Sequence, residues 1–195
     1  RQRYGGDELD ARMAAVMLLT LPGTPFVYQG EELGLVDAHV PPERVVDPGL
    51  RDGCRAPIPW DASPLHGWSA PTWLPFAPEA DTRNVAMQMA DPNSILHFYR
   101  RLLAMRRATP ALHAGTSPRE FRLLSDAPDL LAWARSDGQD TWFTGVNPTH
   151  AAQPLAGEMH GAMIMLSTDA AVEGTFVGDS LPARCAFVAH RPGTM

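Results

Sequence analysis

A helix stop, a short apolar run and a carboxylate-bearing loop follow one another without a break from Leu21 to Gly34, in LPGTPFVYQGEELG. Ahead of the stop, Asp7 to Leu21 predicts a helix. Asp7 suits the N-cap and Asp10 the first turn, and ARMAAVMLLTL is rich in strong helix formers. Apolar residues lie nearly all round it, so the helix is expected to be largely buried. Pro22 and Gly23 end it. Phe26, Val27 and Tyr28 then form the kind of continuous apolar run expected in a buried parallel strand. Helix, short turn and buried strand make half of a βαβ unit. Strand ends that release charged residues into a loop are where α/β barrels keep their chemistry, so the block predicts one wall of an active site.

A second block, RDGCRAPIPW from Arg51 to Trp60, sets two arginines four residues apart around an aspartate. It lies in a stretch from Gln29 to about Asp91 with no helical or strand period, in which prolines recur and Trp60, Trp68 and Trp73 stand out. A loop region of that length inside a compact domain is either disordered or functional, and its aromatic content argues against disorder. It reads as a packed excursion.

Periodicity returns after it. Ile95, Phe98, Tyr99, Leu102 and Met105 form an apolar stripe, with Asp91 and Ser94 as competing N-caps and Pro110 as the stop. Arg100, Arg101, Arg106 and Arg107 are expected to face out, the last two complementing the helix dipole. Beyond Gly115 the texture changes to short strands: Glu120–Leu124, Leu130–Arg135, Thr141–Val146, Ala162–Leu166 and Arg184–His190. Asp137-Gly138 marks a hairpin turn. The domains expected are therefore 1–115 and 116–195, the second a small antiparallel β-sandwich.

Composition excludes some functions. A net charge of −6 lacks the basic face that a nucleic-acid partner wants. No apolar run reaches the length of a membrane span and no signal peptide opens the chain. Beginning with Arg1 rather than Met, the chain reads as part of a longer protein. Cys54 and Cys185 are too far apart for a metal motif, and two free thiols suit a cytoplasmic protein. The seven histidines are scattered without ligand spacing and no acidic run suggests calcium, so no metal is expected.

These blocks, with NVAMQMADPNSILHFYRRLLAMRRATPAL from Asn84 to Leu112, resemble the α-amylase family of glycoside hydrolases, most of all its α-glucosidase and oligo-1,6-glucosidase branch. The resemblance implies an α/β plus β fold: the C-terminal part of a (β/α)8 TIM barrel followed by the antiparallel domain. GTPFVYQGEELG would be the eighth barrel strand and its loop. It also implies a retaining hydrolase that removes α-linked glucose from the non-reducing end of short oligosaccharides or glucosides, with no cofactor. The nucleophile aspartate, the acid/base glutamate and the second aspartate of that mechanism would lie upstream of Arg1, so the chain alone is expected to be inactive. A retaining pair must stand within roughly 5–5.5 Å across the scissile bond, and the adjacent Glu31 and Glu32 do not suit that task.

Arg51 is the first candidate for substrate binding. In the resembling enzymes an arginine of this segment helps form the floor of the glucose pocket, and its fork suits sugar hydroxyls and carboxylates together. A plain pairing of Arg51 with Asp52 is the competing expectation. Arg55 is the second candidate, with holding the loop as its alternative. Tyr28 is expected to pack in the core, Gln29 to organise the loop, and Glu31 and Glu32 to accept from loop backbone or from arginines, with lining the cleft as their alternative. The three tryptophans are expected to pack the excursion rather than stack on sugars. Trehalose synthases and sucrose isomerases, which transfer glycosyl groups, are alternatives for the activity, as is a non-catalytic homologue used for binding or assembly. A free-standing carbohydrate-binding β-domain would rest on Trp133 and Trp142, positions that also suit a core.

Overall fold

The computed structural model describes residues 2–113, 120–125 and 127–193. The chain forms two compact units, one of Arg1–Ala11 with Val27–Arg100 and the other of Arg12–Phe26 with Arg101–Met195. The expected division between 115 and 116 falls outside the described residues.

Helix α1 spans Glu8–Thr20, α2 Val85–Ala90 and α3 Ile95–Ala108. The Asp7 carboxylate accepts the Asp10 amide at 3.1 Å, as an N-cap does. No residue of 11–20 is exposed, in line with apolar side chains on every face. Helix α2 escapes sequence reading because six residues hold too little of a period. Its start is capped by Asn84, whose side chain accepts the Met87 amide at 3.0 Å. At α3 the nearer of the two candidate caps prevails. The Ser94 hydroxyl accepts the His97 amide, whereas Asp91 accepts that of Asn93. Gln88 ties this corner together, donating to the Leu33 carbonyl at 2.8 Å and accepting the Leu96 amide at 3.1 Å.

Two expectations fail here. Phe26–Tyr28 forms no strand, and Phe26 is 83% exposed. A parallel strand exists only within a ladder, and no described segment pairs with this one. Arg106 does not face out but is buried. The carboxyl end of α1 lacks internal partners, and Arg106 donates to its Leu19 and Leu21 carbonyls at 2.7 and 3.1 Å.

The second unit holds a five-stranded antiparallel sheet in the order β1-β2-β3-β7-β5. Its strands are β1 Glu120–Leu123, β2 Leu131–Ser136, β3 Thr141–Asn147, β5 Met163–Ser167 and β7 Cys185–Arg191. A two-stranded ladder joins β4 Gln153–Pro154 to β6 Ser180–Leu181. Among the described residues every strand pair is antiparallel. Register places Ala134, Phe143, Ala189 and Ile164 in one row across the sheet. That row joins Leu155, Met159, Val177 and Leu181 in one buried cluster. The second layer of the expected sandwich is thus a short ladder and loops.

The opposite face carries Trp133, Thr144, Val188 and Leu166, also buried. Both faces of the sheet are therefore core. Trp133 is 2% exposed and so offers no face to a sugar, while Trp142 has one face stacked on His190 at 4.6 Å.

Candidate active site

Within the first unit the segment Val45–Ala56 is organised by two buried aspartates. Asp52 accepts the amides of Val46 and Asp47 at 2.8 and 2.9 Å, closing the loop on itself. Asp47 is thereby presented to both arginines. Arg51 grips it with a fork, Nε at 2.7 Å and Nη2 at 3.1 Å, and Arg55 Nη1 approaches the same carboxylate at 2.9 Å. The Arg51 hydrogen bonds, then the Gly49 amide, hold the Asp47 carboxyl far below the usual carboxylate range. Arg51 therefore pairs with Asp47 and not with Asp52, one oxygen of which accepts the two backbone amides while the other lies 3.9 Å from Arg55 Nη1. Leu50, just before Arg51, sits in the left-handed region at φ 54°, a strained conformation of the kind that persists at functional loops.

Both arginines line one pocket of about 340 Å³ with Tyr28, Gln29, Glu31 and Asp37. Two of the five guanidinium N–H donors of Arg51 are engaged by Asp47, and its side chain is still 64% exposed. A cation fixed at one edge and open at the other can orient a neutral polyol by hydrogen bonds alone. The structure thus brings together both predicted residues, Arg51 and Arg55. Sequence reading missed Asp47, although Asp-x-x-x-Arg-Asp-x-x-Arg spacing was its signal.

The loop after Tyr28 is built largely as expected. Glu31 accepts the Tyr28 amide and Glu32 that of Gly30 at 2.9 Å. Burial pushes the Glu32 carboxyl above its ordinary value, against the pull of those backbone bonds. Gln29 donates to the Ala56 carbonyl at 3.2 Å, linking this loop to the arginine segment. Tyr28 differs from expectation: it is half exposed and faces the pocket, because the strand that would have buried it is not formed.

Gly53 sets the closeness of the two segments. A Cβ there would lie 2.7 Å from the Ala38 carbonyl oxygen, while the Ala38 amide donates to the Gly53 carbonyl at 3.0 Å. Gly53→Ala is therefore expected to cost about 1–3 kcal/mol, read as a lower midpoint in thermal melts. An unchanged midpoint would show that Ala38 can step aside.

Trp60, Trp68 and Trp73 do not pack the excursion as expected. They are 51%, 42% and 57% exposed and line a groove of about 600 Å³. Among the described residues no group of three or more metal-ligating side chains gathers.

Residues 2–115 match the family described as alpha amylase, catalytic domain. Over 171 residues the chain is 40% identical to a probable alpha-glucosidase of Rhizobium meliloti (strain 1021), which takes in 77% of this chain and 30% of that protein. It is 30% identical over 170 residues to an oligo-1,6-glucosidase of Parageobacillus thermoglucosidasius, covering 71% of this chain and 30% of the other. Among solved structures its fold matches a trehalulose synthase of Pseudomonas mesoacidophila MX-45 with a TM-score of 0.80 at 26% identity, over 93% of this chain and 38% of that one. The chain spans about a third of the length of these relatives.

Proposed function

This chain belongs to the α-amylase family of glycoside hydrolases, and on that premise we propose that it contributes to a retaining enzyme cleaving α-linked glucose from short oligosaccharides or glucosides. Arg51, braced on Asp47 and open to the pocket it shares with Arg55, Tyr28 and Gln29, carries the reading. Its remaining N–H donors hold hydroxyls of the terminal glucose, and Arg55 steadies the same carboxylate from the other side. Phe26–Tyr28 takes the place of a barrel strand, its exposed backbone pairing with strands beyond the third of the family length spanned here. The nucleophile and the acid/base come from that remainder too. In a retaining site they stand about 5–5.5 Å apart, and the glycosyl-enzyme they form is opened by water. The identity to a probable alpha-glucosidase supports this substrate class.

The likeness to a trehalulose synthase favours a second reading, in which a sugar hydroxyl replaces water as the attacking group. One experiment addresses both. The full-length gene product is offered maltose, isomaltose, sucrose and trehalose in turn, with products followed by NMR. Free glucose appearing first as its α-anomer is expected. An isomeric disaccharide from sucrose would select the transfer reading, and β-glucose first, or no product from any substrate, would overturn the proposal.

A further inference from the structure

Two arginines of the second unit are buried without an acid to balance them. Arg106 and Arg135 are 6% and 1% exposed, and no carboxylate among the described residues acts on either guanidinium. They meet backbone instead: carbonyls at the end of α1 and, for Arg135, that of Leu112. A helix end offers about half a negative charge, against two full positive ones. Buried charge left uncompensated is costly, and folded proteins pair it.

Unpartnered donors lie at the same place. Trp133 Nε1 and Arg135 Nε are buried and have no hydrogen-bond partner. Both side chains leave β2 on one face, because alternate residues of a strand share a face. The three bonds that Arg135 makes to described residues all leave from Nη1. Its Nε edge is therefore unused, the edge with which Arg51 grips Asp47. Thr144, across from Trp133 on β3 and buried, brings a hydroxyl to the same face. A further buried nitrogen without a hydrogen bond, His190 Nε2, has an Asp140 carboxylate oxygen at 3.3 Å. The pair on β2 has no such counter-group among the described residues.

We propose that Trp133, Arg135 and Thr144 bind a single halide-sized monovalent anion, which balances the buried charge at the end of α1. The donor set selects that class. A cation would face two guanidinium groups. A water molecule could accept from the two N–H groups but would leave both positive charges as they are. Side chains as buried as Trp133 and Arg135 leave no opening for a sulfate or phosphate. Val188 and Leu166, buried on the same face, give the apolar surround that weakly hydrated chloride or bromide tolerates and strongly hydrated fluoride does not. The site shares no residue with the arginine pocket, so it stands or falls apart from the function proposed above.

The test takes the full-length protein, prepared free of halide in sodium gluconate and melted with increasing sodium chloride or bromide at constant ionic strength. A saturable rise of about 2 °C in the midpoint is expected with either salt, and none with fluoride. Arg135→Met is expected to abolish the response. Trp133→Phe keeps an aromatic ring and removes the N–H, and is expected to weaken the apparent affinity about tenfold; it carries the test where the arginine variant fails to fold. In crystals soaked in sodium bromide an anomalous peak is expected in contact with Trp133 Nε1 and Arg135 Nε. A midpoint indifferent to halide, a response that fluoride reproduces, or one that Trp133→Phe leaves unchanged would overturn the proposal. So would density at that place with no anomalous signal, which would mean water.

Discussion

Arg106→Met is expected to lower the unfolding free energy by about 3 kcal/mol, measured as a shifted urea midpoint at constant slope. Helix α1 ends at Pro22 and Gly23 and leaves its last carbonyls without intrahelical partners. Arg106 donates to those of Leu19 and Leu21 and reaches the Gly23 carbonyl beyond. Arg135, on β2, donates to those of Thr20, Leu21 and Leu112. Methionine keeps most of the volume but removes every donor, so the buried Leu19 carbonyl loses the partner that Arg106 supplies, while Arg135 still reaches that of Leu21. Lysine at 106 is expected to recover less than half of the loss, because one ammonium cannot span three carbonyls. Burial, and then the neighbouring Arg106 charge, pull the Arg135 guanidinium down to about 10. The two cations therefore repel while sharing the Leu21 carbonyl. The double variant is expected to lose less than the sum of the singles. A single variant within 0.5 kcal/mol of the parent would mean that water reaches those carbonyls.

Arg106 also shows where sequence reading stops. Two arginines in the last turn of an amphipathic helix look alike in a periodic pattern, and only the chain that packs there decides which one is buried. Local signals succeed where the cause is local. The Asp7 cap, the Pro22-Gly23 stop, the α3 stripe and five of the seven strands are set by neighbours within a turn or a pleat. The missed strands, Gln153–Pro154 and Ser180–Leu181, have two residues each and exist only by pairing with one another. Phe26–Tyr28 fails for the converse reason, having the composition of a strand without a described ladder to join. At the candidate site Arg51 and Arg55 stood out as charged residues in a motif. Asp47 did not, because its role depends on a loop closed by Asp52, which no period reveals. The tryptophans were read as packing on the commoner fate of indole, whereas here all three stand exposed along one groove.

In the full-length enzyme, Asp47→Ala is expected to reduce kcat/KM about a hundredfold, as large a loss as Arg51→Ala, although the aspartate need not touch a sugar. Misplacing a positioning group by about 1 Å costs that much, and Asp47 is what holds Arg51 in place. Its carboxylate engages Nε and Nη2 of Arg51, Nη1 of Arg55 and the Gly49 amide. Without it the Arg51 guanidinium is free to swing, Arg55 is left with Asp52 alone at 3.9 Å, and the Gly49 amide loses its acceptor in the turn before Arg51. Asp47→Asn separates charge from shape. The amide keeps one acceptor oxygen but cannot receive a fork from Arg51 and a further bond from Arg55, so most of the loss is expected to remain. If Asp47 acts through Arg51, the double variant Asp47→Ala/Arg51→Ala is no worse than Arg51→Ala alone. Multiplied losses would show that Asp47 has a separate task, with Arg55 as its remaining route to the pocket. Equal activity of Asp47→Ala and the parent would remove Arg51 from the substrate and return it to a surface ion pair, the kind that contributes little to a folded protein.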